Sequence, residues 1–122
     1  MKETLSKISP TDKDNNLNVI IEIQKGSKNK YELDKETGLI MLDRVMYTGQ
    51  DYPFDYGFVP NTLCEDGDPL DVVLYTTYPL MPGILLQARP VGVIKMIDGG
   101  EADDKILAVP ANDPRLSQMV DL

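Results

Sequence analysis

The sequence of 122 residues contains no histidine and a single cysteine, Cys64. One cysteine excludes an internal disulfide framework. The absence of histidine excludes a histidine-based mechanism and disfavours a catalytic zinc site. It also leaves Cys64 without the side chain that most often activates a cysteine nucleophile. The residue counts therefore remove several common hydrolase mechanisms.

Long hydrophobic runs are also missing. No apolar stretch approaches the ~20 residues that a membrane-spanning helix needs. Residues 1–16 are polar throughout and lack the apolar stretch of a secretory signal. We therefore predict a cytoplasmic protein without membrane association. In this interpretation residues 1–16 form a polar N-terminal arm, and residues 17–122 form one domain.

Positive charge is scarce, since 12 Lys and Arg stand against 20 Asp and Glu and the net charge is −8. A protein that binds a phosphate backbone needs a positive footprint, so this balance disfavours nucleic acid as a partner. Ten of the acidic residues lie in two windows, 51–71 and 98–104. Carboxylates this close repel one another and are best stabilised by hard divalent cations. The charge pattern therefore predicts metal binding.

Short β-branched runs between glycine and proline turns make up most of the chain. They predict strands at 17–23, 31–34, 39–42, 71–75 and 105–110, with one or two more within 83–96. Residues 51–60 are aromatic and contain two prolines, so we expect an edge strand or an irregular segment there at best. No convincing amphipathic helix is present. The pattern predicts an all-β fold, an OB-like five-stranded barrel, with a sandwich as the alternative.

The stretch 65–72, with the sequence EDGDPLDV, carries the clearest chemical signal. Asp66, Asp68 and Asp71 lie in a turn directly before an apolar strand. Gly67 lets the backbone bend and Pro69 restricts φ, so the turn can hold several carboxylates toward one point. Carboxylate oxygens are the ligands that magnesium prefers. This stretch therefore predicts a magnesium site.

Two simpler interpretations of the same stretch compete with a metal site of this kind. A calcium loop of the EF-hand type requires a bidentate glutamate at its twelfth position, but a loop that starts at Asp66 has Thr77 there. An aspartate-rich turn exposed to solvent is the other alternative. The neighbouring motifs favour the metal site over such a turn.

Residues 66–72 resemble the signature of the soluble (family I) inorganic pyrophosphatases, and the resemblance extends over about residues 17–116. It includes 19–23 (VIIEI), 30–34 (KYELD), 42–44 (LDR), 52–57 (YPFDYG), 89–92 (RPVG), 95–98 (KMID) and 105–110 (KILAVP). One motif could arise by chance, but an ordered series of this length could not plausibly do so. The resemblance implies an OB-like barrel that hydrolyses pyrophosphate to two phosphates with Mg²⁺, with Mn²⁺ or Zn²⁺ as substitutes.

The resemblance also implies roles for individual residues. The metal ligands would be Asp66, Asp71, Asp98 and Asp103. The catalytic residues would be Asp68, which accepts a proton from the attacking water, and Tyr56, which hydrogen-bonds in the centre of the site. The residues that bind phosphate oxygens or complete the metal and water network would be Glu22, Lys30, Glu32, Arg44, Tyr52 and Lys105.

Simpler alternatives exist for some of these side chains. The aromatic side chains of residues 52–58 could serve only for packing, which is the interpretation that we prefer for Phe54 and Phe58. Lys105 could be a solvated lysine at the end of a strand. We assign no functional position to four further acidic residues, which contribute only to the local field: Asp51, Asp55, Glu101 and Asp104.

Family members are expected to continue after the last strand with a long helix and a segment that supplies a Tyr-Lys pair. The sequence ends at Leu122, so we expect a C-terminally truncated domain without these helices. A catalytically weak metal-binding fragment is therefore the first alternative function, and an OB-fold nucleic-acid-binding module is the second. By resemblance to bacterial members we expect a homo-oligomer, a hexamer.

Overall fold

The structure is a computed structural model that describes residues 7–34, 36–45, 52–62, 69–95 and 97–116, except for the side chains of residues 98, 101 and 102. Within these ranges the chain forms nine strands and one short 3-10 helix, which confirms the all-β prediction. The elements are β1 Leu17–Ile23, β2 Asn29–Leu33, β3 Ile40–Val45, β4 Asp55–Val59, β5 Leu70–Leu74, β6 Leu85–Ile94, β7 Ile97–Asp98, β8 Glu101–Ala102, β9 Lys105–Pro110 and the 3-10 helix Pro114–Leu116.

Five of the strands close into a barrel in the order β1-β4-β5-β9-β6, with β6 pairing back to β1. All neighbours are antiparallel except β5 and β9, which run parallel. Counted along the chain, the barrel strands follow the order 1-2-3-5-4, which confirms the OB-like five-stranded barrel. Two separate two-stranded sheets, β2-β3 and β7-β8, extend from the barrel.

Within the segment 51–60, the described residues 52–60 are more regular than the composition predicts, and the prediction of at best an edge or irregular segment is wrong. Its residues 55–59 form β4, which pairs with β1 on one side and β5 on the other. The two prolines, Pro53 and Pro60, lie outside the strand and remove none of its hydrogen bonds. Gly57 permits the close pairing with β1, because a Cβ there would lie 2.4 Å from the carbonyl oxygen of Ile20.

Aliphatic side chains fill the interior of the barrel. The cluster at its centre is fully buried and consists of Val19, Ile21, Val59, Val72, Leu74, Ala88 and Ala108. A small five-stranded barrel leaves no room for a ligand once such side chains occupy its interior. Any binding site formed by these strands therefore has to lie on the outside of the barrel.

Residues 8 and 9, which precede β1, lie against the barrel. The buried side chain of Asn18 donates a hydrogen bond to the carbonyl oxygen of Ser9 at 2.9 Å. Asn61, at the end of β4, donates to the carbonyl oxygen of Ile8 at 2.6 Å. Two side-chain amides thus attach residues 8 and 9 to the barrel. Among the described residues, no helix is long and apolar enough to cross a membrane.

Candidate functional site

A cleft of about 670 Å³ lies between the barrel and the β2-β3 hairpin. Residues from β1, β2, β4, β5 and β9 contribute to it, so its walls come from distant parts of the chain. Four carboxylic acids, two lysines and three tyrosines are among the lining residues: Glu22, Glu32, Asp34, Asp71, Lys30, Lys105, Tyr31, Tyr52 and Tyr56. The cleft is therefore polar and carries an excess of negative charge.

The parallel pairing of β5 and β9 brings Asp71 and Lys105 together. Val72 lies opposite Ile106 in the ladder, so the residues that precede them meet at the same end of the two strands. The Lys105 Nζ atom lies 3.0 Å from Asp71 Oδ2 and 3.3 Å from Asp103 Oδ2. A lysine thus bridges two carboxylates that the sequence places 32 residues apart, at positions 71 and 103.

Burial and the neighbouring negative charges shift the pKa of Lys105 in opposite directions. Burial lowers its pKa, while the hydrogen bond and the negative charge of Asp71, together with those of Asp103, raise it. The net effect is a raised pKa, so Lys105 carries its positive charge throughout the neutral range. A charged ammonium at this position can bind an anionic oxygen as a point charge.

Glu22 connects the barrel to the hairpin. Its Oε2 atom accepts a hydrogen bond from the backbone N–H of Leu33 in β2 at 2.9 Å. The pKa of Glu22 is raised to about 7: burial raises it most, the Leu33 hydrogen bond lowers it, and the negative charges of Asp71 and Glu32 also raise it. The ionised form of a carboxyl group in these surroundings is stabilised when a cation comes close to it.

The two tyrosines predicted for the site form a pair. The rings of Tyr52 and Tyr56 are 5.2 Å apart between centroids and meet edge to face at 75°. Burial raises the pKa of Tyr56 and the neighbouring Tyr52 raises it further, while Lys105 lowers it. Tyr56 therefore keeps its proton at neutral pH and can donate a hydrogen bond into the cleft.

The hairpin carries the remaining predicted cations. Lys30 and Arg44 lie directly opposite each other in the β2-β3 ladder, and the register shifts immediately after this pair. Like charges in this position destabilise a strand pair unless an anion lies nearby. Asp43 supplies one, since its Oδ2 is 3.6 Å from Lys30 Nζ. Lys30 lines the cleft, whereas Arg44 is exposed and is not among the lining residues.

Several predicted residues cannot be compared with the geometry. Asp66 and Asp68 lie outside the described residues, and Asp98 is described only by its backbone, which pairs with Glu101 between β7 and β8. Among the side chains that the structure does describe, no three acidic groups lie close enough together to hold a metal ion. Asp71 and Asp103 are therefore the two predicted metal ligands whose side chains can be placed, and both lie beside Lys105.

The donor set nevertheless fits a hard divalent cation. The carboxylic acids Glu22, Glu32 and Asp71 line one cleft, and oxygen is the donor that magnesium prefers. Glu22 has a raised pKa partly because Asp71 and Glu32 repel its charge. A divalent cation bound among these groups would relieve that repulsion.

Two acidic residues next to the site were given no role by the sequence. Asp55 is fully buried at the start of β4, and Asp34 lines the cleft at the end of β2. Asp34 also accepts a hydrogen bond from the hydroxyl of Thr37 at 2.6 Å, which closes the hairpin turn. The Asp-x-x-Thr spacing could have indicated the role of Asp34 in the turn, but no local pattern marks Asp55 as buried.

These features define the class of the protein: a small OB-like barrel whose charged site lies in an outer cleft between the barrel and a hairpin. The family described as Inorganic pyrophosphatase matches residues 19–122. The inorganic pyrophosphatase of Synechocystis sp. is 55% identical over 111 residues, which cover 91% of this chain and 66% of that protein. Soluble inorganic pyrophosphatase 3 of Arabidopsis thaliana is 56% identical over 105 residues, which cover 86% of this chain and 49% of that protein.

Solved structures agree with the sequence relatives. The inorganic pyrophosphatase of Thermus thermophilus superposes with a TM-score of 0.90 at 45% identity, covering 97% of this chain and 68% of that one. The inorganic pyrophosphatase of Coxiella burnetii gives a TM-score of 0.86 at 45% identity, covering 94% and 70%. The chain belongs to the inorganic pyrophosphatase family. It spans about half to two thirds of the length of the first curated relatives that it matches.

Proposed function

We propose that this chain catalyses the hydrolysis of inorganic pyrophosphate to two phosphates with the help of divalent metal ions. The observation that carries the proposal is the composition of the cleft, where two lysines lie among four carboxylic acids. Carboxylates suit the metal ions, and the lysines suit the phosphate oxygens. Relatives at 55% and 56% identity bear the name of this activity.

The cationic side chains are proposed to bind the substrate. Lys30 and Lys105 lie at two walls of the cleft and can each contact phosphate oxygens as point charges. Arg44 lies across the ladder from Lys30, and its planar guanidinium can donate two parallel hydrogen bonds to one phosphate. A bound phosphate would also reduce the repulsion between Lys30 and Arg44.

The metal ligands are proposed to be Asp66, Asp71, Asp98 and Asp103, while Glu22 and Glu32 complete the network of bound water. We propose Mg²⁺ as the physiological ion, with Mn²⁺ or Zn²⁺ as substitutes. Such an ion, when bound, supplies positive charge for the phosphate oxygens and lowers the pKa of a water molecule to near neutrality. The carboxylates of this chain determine the position of the bound ion and therefore of its positive charge.

The proton transfer is assigned to Asp68. The oxygen of the attacking water forms a bond to one phosphorus, the bridging P–O bond breaks, and its electron pair leaves with the other phosphate. Asp68 takes the proton of the water, which requires little basicity when that water is already acidic. Tyr56, which keeps its proton because its pKa is raised, is proposed to donate a hydrogen bond to a phosphate oxygen.

Release of phosphate from pyrophosphate, measured by a colorimetric assay with and without magnesium, tests the proposal. We expect release that requires magnesium and stops when a chelator is added in excess. The Lys105→Met variant should bind pyrophosphate more weakly, since it loses a positive charge from the cleft. Absence of phosphate release with any divalent ion would refute the activity, and calorimetric binding of magnesium would then favour a metal-binding module.

The location and the assembly of the protein are further proposals. We propose a cytoplasmic protein that forms a homo-oligomer, a hexamer, as the resemblance to bacterial family members implies. Residues 17–122 would form the barrel domain and residues 1–16 its N-terminal arm. Light scattering coupled to size-exclusion chromatography tests the assembly, and a monomer at all concentrations would contradict it.

A further inference from the structure

A buried carboxyl group behind the cleft joins three segments of the chain. Asp55 is 0% exposed at the start of β4. Its Oδ1 atom accepts hydrogen bonds from the backbone N–H groups of Lys25 at 2.7 Å and Leu80 at 3.3 Å. Its Oδ2 atom accepts one from the hydroxyl of Thr76 at 2.6 Å. Asp55 therefore holds β4 to the turn after β1 and to the segment after β5.

The turn after β1 has a defined conformation. The N–H of Ser27 donates to the carbonyl oxygen of Gln24 at 3.0 Å, which closes a four-residue turn. Gly26, the third residue, has a φ of 84°, whereas Lys25, the second, is not among the residues with positive φ. This combination is a type II turn. The hydrogen bond that closes the turn does not use the N–H of Lys25, which donates to Asp55 instead.

The same turn holds Tyr52 by both of its backbone polar groups. Gly26 donates its N–H to the carbonyl oxygen of Tyr52 at 2.8 Å, and Tyr52 donates its own N–H to the carbonyl oxygen of Ser27 at 3.2 Å. The ring of Tyr52 then meets the ring of Tyr56 edge to face at the wall of the cleft. The position of Tyr52 thus depends on the position of the turn.

We propose that Asp55 is a positioning residue for the cleft: by holding the turn 24–27 it places Tyr52 against Tyr56. Successive side chains of a strand point to opposite faces, so Asp55 and its neighbour Tyr56 lie on opposite sides of β4. Asp55 acts through the backbone of the turn, without contact with the ligand. The expected effect on catalysis rests on the function proposed above. The positioning of Tyr52 by Asp55 does not depend on that function.

Tyrosine circular dichroism can measure this geometry directly, because the chain contains no tryptophan and only six tyrosines. Tyr52→Leu defines how much of the near-ultraviolet signal depends on Tyr52. We expect Asp55→Ala to lose the same part of the signal. Asp55→Asn should keep it, because its Oδ1 atom still accepts from both N–H groups and its amide can donate to Thr76. An Asp55→Ala spectrum identical to that of the wild type would overturn the proposal.

Thr76→Val is the matched control, since it removes one hydrogen bond to Asp55 and leaves the bond to Lys25. We expect it to lower the melting temperature but to keep the Tyr52 signal. If Thr76→Val lost that signal to the same extent as Asp55→Ala, the effect would reflect general loosening, and the specific positioning role would be wrong.

Lys25→Pro keeps the test decisive if Asp55→Ala does not fold. Proline suits the second position of a type II turn, and Lys25 is exposed, so the turn itself should persist. The substitution removes the N–H that donates to Asp55. We expect the Tyr52 signal to decrease, and an unchanged signal in the folded variant would refute the coupling.

Turnover of pyrophosphate provides the second measurement. Asp55→Ala and Tyr52→Leu should lower kcat/KM by similar factors, and the double variant should be no worse than about threefold below the poorer single variant, since both act through one element. Multiplicative losses would contradict the proposal. If the wild type released no phosphate, the proposed function would fail, while the dichroism would still decide whether Asp55 positions Tyr52.

Discussion

The end of the barrel around Asp55 and the cleft around Glu22 each enclose a carboxylic acid, and they surround it differently. Three donors from the protein saturate Asp55, which has no exposed surface. Among the described residues, Glu22 accepts a hydrogen bond from Leu33 alone. Its pKa is raised to about 7, chiefly by burial and further by the charges of Asp71 and Glu32, against the opposing effect of that hydrogen bond. The comparison teaches that a carboxylate whose hydrogen-bond donors all come from the protein stabilises the fold. A carboxylate with fewer donors around it remains available to bind a cation.

The largest expected difference between the two regions concerns stability. Asp55→Ala leaves the partly buried backbone N–H groups of Lys25 and Leu80 without their acceptor, which should lower the free energy of unfolding by about 2–5 kcal/mol. Asp55→Asn should cost much less because the amide oxygen replaces Oδ1. Urea unfolding followed by far-ultraviolet circular dichroism measures both, and equal losses would show that the charge of Asp55 matters more than its acceptor atoms.

For turnover, in contrast to stability, a substitution of the proposed base should have a larger effect than a substitution at Asp55. Asp68→Asn removes the proposed base and should lower kcat by roughly 100-fold or more, the usual scale for a positioned base. Metal binding should persist, since the variant keeps the proposed ligands. Asp55→Asn is the matched control and should keep near-wild-type turnover. Asp68 would lose its assignment if its variant turned over at the rate of that control.

The pH dependence of stability should separate the two acids further. The folded-state pKa of Glu22 is raised from 4.5 to about 7, so the folded protein binds this proton more tightly than the unfolded chain does. The resulting stability is fully present below pH 4.5 and is lost as the pH rises through 7. In the metal-free protein the loss should be about 3 kcal/mol between these values.

Glu22→Gln should abolish this loss, because glutamine keeps an acceptor for Leu33 and does not ionise. Its stability should exceed that of the wild type at pH 8 and approach it at pH 5. Chelator-treated protein melted across this range provides the measurement, and the absence of histidine limits other titration in the window. A parallel decline in the variant would assign the effect to other groups.

The smallest of the expected effects concerns metal affinity. Asp71→Asn should weaken magnesium or manganese binding by at least about tenfold, or ~1.4 kcal/mol, because a proposed ligand loses its charge. Asp34→Asn is the control, since Asp34 lines the same cleft but is engaged by Thr37 in the hairpin turn. Titration calorimetry distinguishes them; wild-type affinity in Asp71→Asn would remove Asp71 from the metal site.

Much of the fold follows from local patterns. The β-branched run 17–23 coincides with β1, and the segment 105–110 coincides with β9, because alternating or continuous apolar residues favour strands wherever they can be buried. The segment 51–60 could not be assigned this way. Its prolines obscure a five-residue strand, and its burial depends on partners from β1 and β5.

The site was predictable in composition and only partly in geometry. The resemblance to a family named the lysines, tyrosines and carboxylates, and the structure brings Glu22, Lys30, Tyr56, Asp71 and Lys105 to one cleft. The bridge from Lys105 to Asp71 and Asp103 was not predictable, because it depends on the parallel register of β5 and β9. The ladder partner of Lys30 likewise follows from a register shift in the hairpin.

The sequence by itself determined the all-β class, the acidic character and the residue types that a metal-dependent hydrolase of phosphates would need. These properties reside in composition and short motifs, which act over a few residues. Only the tertiary structure decided which carboxylic acids receive hydrogen bonds from several donors of the protein and which do not. Asp55 and Glu22 are both carboxylic acids within short strands, and the donors around them come from residues 25, 76, 80 and 33. Barrel closure brings these donors together, and no local pattern encodes that proximity.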